Sequence, residues 1–162
     1  MKNVTKAVFP VGGMGTRFLP ATKSIPKELL PIIDKPLIQY AVEEAIEAGI
    51  ETLIFITSAT KHAISDHFDP MPALKERFKQ LNKPHLVDKL ETLPINARRV
   101  FIPQGEPLGL GHAVLQAAPL IGDDEYFAVL LADDFIQGPT NPLKDLIDAV
   151  GLDPCPTLSV EK

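Results

Sequence analysis

Gly12-Gly-Met-Gly-Thr-Arg17 is the stretch of this sequence best suited to chemistry, and it follows the short apolar run Lys6–Val11. Three glycines in four residues let a backbone approach a ligand closely, and successive N–H groups can cradle phosphate oxygens. Two familiar phosphate loops do not fit. A dinucleotide fingerprint begun at Gly13 needs glycine where Phe18 stands, and a P-loop begun at Gly12 needs Gly-Lys where Arg17-Phe18 stands. Arg17 supplies a guanidinium, and Lys23 and Lys27 follow within ten residues of it. Cations converging beside a glycine loop form a clamp for a polyphosphate. A plain tight turn and ordinary surface lysines would use the same residue types.

Other candidates are sparser. Asp133 and Asp134 follow an apolar run, Phe127–Ala132, so they emerge at the end of a predicted strand. Carboxylates there can bind a metal ion, with either acid as the ligand, or both can simply cap the next turn. His62 and His67 are five apart rather than the four that puts two histidines on one helical face, and are expected at the surface. The single cysteine, Cys155, has no partner for a disulfide and no recognisable histidine partner for catalysis.

These residues need elements to position them. Lys6–Val11 reads as a buried strand with Pro10 near its end, because proline cannot donate to the ladder. Pro36–Ala48 reads as a helix, with proline in its first turn, one apolar face and Gly49 as its stop. Thr52–Thr57 is strongly β-prone, and Lys61–Phe68 suggests a helix. Residues 70–94 have helical spacing around Leu74, Phe78 and Leu81, broken at Pro84 and Pro94. Arg98–Ile102 suggests a strand, Gly111–Ala118 a helix, Phe127–Ala132 a buried strand and Pro142–Val150 a helix; Thr157–Val160 suggests the start of one more strand. Alternation of this kind implies an α/β domain with a mostly parallel sheet and helices on both faces. Ligands bind such sheets beyond the carboxyl ends of the strands.

Composition sets the outer bounds. The chain has 162 residues, 45% hydrophobic and 23% charged, as in an ordinary globular domain. Its net charge of −5 gives no general attraction to nucleic acid or anionic membrane. Within that acidic balance, Arg17, Lys23, Lys27 and Lys35 against Glu28 and Asp34 make residues 12–35 a basic island of +2, suited to a small anion. The longest apolar run, Tyr126–Ala132, has seven residues, far fewer than the ~20 that span a bilayer. A cytoplasmic location is the expectation. The 16 prolines punctuate loops without forming a PxxP tract.

Taken together, Gly12–Arg17, Pro26-Lys-Glu-Leu-Leu-Pro31 and Asp34-Lys-Pro-Leu-Ile-Gln-Tyr40 resemble the opening of a sugar-phosphate nucleotidylyltransferase. Gln104-Gly105, Gly109-Leu-Gly-His-Ala-Val114 and Leu131-Ala-Asp-Asp134 narrow the resemblance to the bacterial UTP–glucose-1-phosphate uridylyltransferase family. Gly12 stands where that family commonly has alanine, a change a glycine loop should tolerate.

The resemblance implies a Rossmann-like nucleotidyltransferase fold in truncated form. Residues 1–162 would be the nucleotide-binding N-terminal part of a single domain whose C-terminal part is absent. Gly12, Gly13, Met14 and Gly15 would lie against base and phosphates, with Arg17 and Lys27 as the catalytic cations on the phosphates. Gln104 would bond the pyrimidine edge with Gly109 nearby, and Asp133 would hold Mg²⁺. The implied substrates are UTP and glucose 1-phosphate, joined to give UDP-glucose and pyrophosphate. Uridine against thymidine, and glucose against another hexose, stay open.

His112 is expected to make a structural hydrogen bond, since an anionic sugar phosphate needs no base to deprotonate it. An exposed sheet edge left by truncation would favour a homo-oligomer. The alternative reading is an inactive uridine-nucleotide-binding module.

Overall fold

The structure is a computed structural model and describes residues 4–90, 97–136, 138–150 and 155–159. Its centre is a four-stranded, all-parallel sheet of β1 (Lys6–Pro10), β4 (Thr52–Thr57), β5 (Arg98–Pro103) and β6 (Ala128–Val129). The spatial order is β5-β4-β1-β6. Strands β2 (Pro31–Ile32) and β3 (Lys35–Pro36) form a separate antiparallel hairpin. The helices are α1 (Leu37–Glu47), α2 (His62–His67), α3 (Pro72–Gln80), α4 (Pro84–Asp88), α5 (Leu110–Leu115) and α6 (Pro142–Val150).

Strand side chains alternate between the two sheet faces, and the core divides accordingly. On one face Ala7, Phe9, Leu53 and Phe55 pack with Ile38, Val42 and Ala45 of α1, Ile64 of α2 and Leu143 of α6. On the other face Val8, Ile54 and Ile56 meet Ala113 and Ala117, from α5 and just beyond it. Phe9, Phe55 and Phe101 are in register across three strands. Their rings stack at 5.1 and 4.9 Å between centroids, and Phe68 adds a fourth ring 5.2 Å from Phe55. Each such pair adds roughly 0.5–1.5 kcal/mol beyond burial alone. Helix α6 is fixed to α1 by side chains at its start: Asn141 Oδ1 accepts the Lys144 N–H at 2.9 Å, and Asn141 Nδ2 donates to the Glu44 carbonyl at 2.9 Å.

Three expectations need correction. Phe127–Ala132 is not a fully buried strand: only Ala128–Val129 pairs as β6, with the Leu130 N–H reaching the Val8 carbonyl at 3.0 Å. It lies at the sheet edge, and Phe127 and Val129 stay 36% and 43% exposed. Residues 157–159 form no strand and Leu158 is exposed; Val160, like Pro94, lies outside the described residues. His67 is not a free surface residue, because its Nε2 lies 3.0 Å from Gln39 Oε1 and its ring stands edge-on to Phe68. Burial there lowers its pKa below the usual histidine value.

Candidate functional site

The strand order places the site. The chain runs outward from β1 through β4 to β5, then returns to the opposite side of β1 as β6. At such a reversal the loops after the two central strands diverge and leave a crevice beyond their carboxyl ends. Gly12–Arg17 leaves the end of β1, and Asp133 follows β6. Both sides of the crevice therefore carry candidate residues.

Lys27 bridges it. Its Nζ lies 2.6 Å from Asp133 Oδ2, joining residues 106 positions apart. Partial burial works to raise the Asp133 carboxyl, but the Lys27 hydrogen bond and charge, with the more distant field of Arg17, outweigh it and hold the group below the usual aspartate value. Lys27 and Asp133 thus form one electrostatic pair. Asp134 is exposed and its N–H bonds the Leu131 carbonyl at 3.1 Å, so it belongs to the turn.

Two glycines of the first loop have separate tasks. Gly15 is left-handed, with φ of +65°, and starts the short 3-10 turn Thr16–Phe18. A Cβ there would come within 3.2 Å of Lys27 Cβ and 3.4 Å of the Thr22 side chain. Thr22 Oγ1 donates to the Gly15 carbonyl at 2.7 Å. Gly15 therefore lets the loop close onto the segment carrying Lys27, and a close approach by ligand is not needed to explain it. Gly13, by contrast, has nothing within 4 Å of an added Cβ and leaves its backbone open. Met14 is 76% exposed beside it.

Beneath the loop lies a pair that sequence reasoning missed. Lys61 Nζ donates to both Glu28 carboxylate oxygens, at 3.1 and 2.9 Å, and to the Val11 carbonyl at 2.8 Å. Glu28 is 1% exposed, the one charged side chain fully buried among the described residues. One ammonium thus pins the end of β1, the residue beside Lys27 and the start of α2. The available signal was a glutamate directly preceding the apolar stretch Leu29-Leu-Pro31.

At the other end of the loop, Gln104 leaves β5 with its N–H on the Thr57 carbonyl at 2.7 Å. One end of its amide lies over Gly12, where a Cβ would approach within 3.0 Å. The other end meets His112 Nδ1 at 2.9 Å. His112 thus makes the expected structural bond, and Gln116 joins it from one turn along, its Nε2 lying 3.1 Å from His112 Nε2. Gly109, at φ of +103°, turns the chain into α5 and so sets the position of His112.

Asp133 offers exposed carboxylate oxygen, the hard donor Mg²⁺ prefers. No group of three His, Cys, Asp or Glu residues able to hold a metal occurs among the described residues. Asp133 is thus the residue here whose chemistry suits a hard cation, with no ligand cluster of that size around it among the described residues.

A glycine loop, a bridging lysine and an acid surround the switch point of a parallel sheet, the place where α/β domains of this class take ligands. Residues 6–151 match the nucleotidyl transferase family, and the chain belongs to it. It is 53% identical over 148 residues to a UTP–glucose-1-phosphate uridylyltransferase of Bacillus subtilis, covering 91% of this chain and 50% of that protein. It is 48% identical to a UTP–glucose-1-phosphate uridylyltransferase 2 of Staphylococcus saprophyticus, covering 92% and 51%. The structure is also similar to a UTP-bound UGPase from Acinetobacter baumannii, with TM-score 0.88 and 39% identity over 94% of this chain and 54% of that one. The chain spans about half the length of the relatives it matches. Among the described residues, no helix is long and apolar enough to cross a membrane.

Proposed function

We infer that this chain supplies the nucleotide side of a uridylyltransferase site that makes UDP-glucose and pyrophosphate from UTP and glucose 1-phosphate. The observation that carries this reading is the Lys27–Asp133 contact at 2.6 Å, which joins the loop after β1 to the residue after β6. In this reading the open backbone at Gly13 receives phosphate oxygens, Gln104 meets the uracil edge over Gly12, and Gly109 holds the neighbouring turn in place. Asp133 would hold Mg²⁺, which would supply charge neutralisation there.

In the reaction, a phosphate oxygen of glucose 1-phosphate attacks the α-phosphorus of UTP in line. The new P–O bond forms as the bond to the β-phosphate bridging oxygen breaks, and pyrophosphate leaves with that electron pair. The nucleophile is already an anion, so no proton needs to be removed. Arg17 and Lys27 offset the charge brought together, and positioning supplies the rest. Lys27 must exchange Asp133 for phosphate, and the released carboxylate is the group that would hold a cation.

The test is calorimetric titration of UTP with Mg²⁺ into the chain and into Gly13→Val, followed by a pyrophosphate-release assay with glucose 1-phosphate. Weaker UTP binding by a folded Gly13→Val is expected, because the added side chain occupies open space above the loop. Unchanged affinity would overturn the phosphate assignment. Turnover by this chain is expected to be orders of magnitude below that of a chain extended to the relatives' full length, since each lost charge contact costs roughly 3 kcal/mol. Comparable rates would mean that the residues seen here suffice.

A further inference from the structure

Gln116, His112 and Gln104 form a line of three side chains that ends over Gly12. With nitrogen of both amides turned to the ring, His112 would have to accept hydrogen bonds at Nδ1 and Nε2 together. Imidazole cannot do so: the neutral ring has one acceptor and one donor, and the imidazolium has two donors. One amide must therefore turn its oxygen inward. Gln116 is fixed by a second bond, since its Nε2 also lies 3.3 Å from the His112 carbonyl oxygen, which can only accept. Its NH₂ therefore donates to Nε2, the ring proton sits on Nδ1, and Nδ1–H needs an acceptor. The only acceptor on a primary amide is its oxygen, so Gln104 turns Oε1 to His112 and its NH₂ over Gly12.

We propose that His112 is a positioning residue for base selection: through Gln116 it fixes Gln104 with its NH₂ facing the nucleotide. This rests on the reading of Gln104 as the residue that meets the base. A donor at that place matches the O4 acceptor of uracil and opposes the N4 amino group of cytosine, which is itself a donor. Unclamped, the Gln104 amide can rotate to present either end, and the discrimination is lost. His112 does this without touching the ligand.

An isosteric pair of variants tests the relay. His112→Asp places only an acceptor near Nδ1, which draws the Gln104 NH₂ inward and turns its oxygen to the base. His112→Asn has the same size and keeps a donor available. The readout is the ratio of UTP to CTP affinity, in which losses common to both nucleotides, including the charge of the new aspartate, cancel. The parent is expected to favour UTP by about tenfold or more, the worth of one well-placed hydrogen bond. His112→Asn should retain most of that ratio, and His112→Asp should abolish or reverse it.

A parental ratio kept in His112→Asp would overturn the relay, as would equal loss in both variants. A parent that binds UTP and CTP alike, or neither, would remove the base-reading role of Gln104 and the relay with it. Should the variants fail to fold, ¹H–¹⁵N NMR of the parent's imidazoles decides the point: a proton on His112 Nδ1 is expected, and neutral imidazole protonated at Nε2 would refute it.

Discussion

Lys61→Met should be among the most damaging single changes outside the open loop. The ammonium removed is 11% exposed at its side chain, and Glu28 is 1% exposed, so water cannot replace what is lost. Three contacts vanish together: both carboxylate oxygens, and the Val11 carbonyl at the end of β1. Breaking a buried pair from one side costs roughly 3–5 kcal/mol, because the remaining charge stays buried without a partner. Whole-domain stability is about 5–15 kcal/mol, so a large share is at stake. For a chain of this length the melting temperature should fall by about 6–20 °C, at roughly 2–4 °C per kcal/mol.

Urea denaturation of the parent, Lys61→Met, Glu28→Leu and the double variant completes the cycle. The double variant should recover much of the loss, because an apolar pair leaves no stranded charge. A deficit under about 1 kcal/mol in Lys61→Met would place the pair in the range of solvated surface bridges and refute this reasoning.

Lys27→Met should cost less than about 1 kcal/mol at neutral pH, as expected for a bridge whose partners remain partly exposed. Asp133 is held below its ordinary value chiefly by Lys27 against the opposing effect of burial, so the contribution is present above the usual aspartate range and lost as pH falls through the depressed folded value. A parent-minus-variant difference that grows on acidification in urea melts would contradict this. Glu44 is raised by burial and by the charge of Glu47, with the Leu143 N–H bond opposing both. Glu44→Gln keeps an acceptor for that N–H, so it should stabilise the fold above the raised value and have no effect below the ordinary glutamate value; thermal melts at neutral and acid pH would expose the opposite order. Ile33 sits 94% exposed at φ of +63°, a left-handed conformation that costs an L-residue about 1–2 kcal/mol. Ile33→Gly should therefore raise the midpoint of urea unfolding, and a lower midpoint would show that Ile33 contributes contacts its exposure conceals.

Local pattern was enough for much of the sheet and its helices. Thr52–Thr57 became β4, and the apolar stripe from Leu37 onward became α1, because both elements bury what their periodicity displays. Phe127–Ala132 misled for a physical reason: an apolar run describes what could be buried, while position at a sheet edge decides what is. Glu28 and Lys61 were invisible as a pair because 33 residues separate them, and no period links a turn to the start of a helix. His112 has the hydrogen bonds its motif suggests, yet Gln116, which contacts its Nε2, carries no sequence signal as a glutamine one turn along a helix.

The candidate site nevertheless has a single geometric rule. The glycine loop leaves β1, Lys61 follows β4, Gln104 follows β5 and Asp133 follows β6. Parallel strands point all four carboxyl ends the same way, so four separate stretches of chain deliver their polar residues to one rim. The sheet needs only apolar residues to form. The rim residues are then free to be chosen for charge, provided that each buried one has a partner. Glu28 meets that condition through Lys61. Lys27 and Asp133, at the open crevice, stay partly exposed and partner each other without needing to, a looser contact than the buried pair beneath the loop.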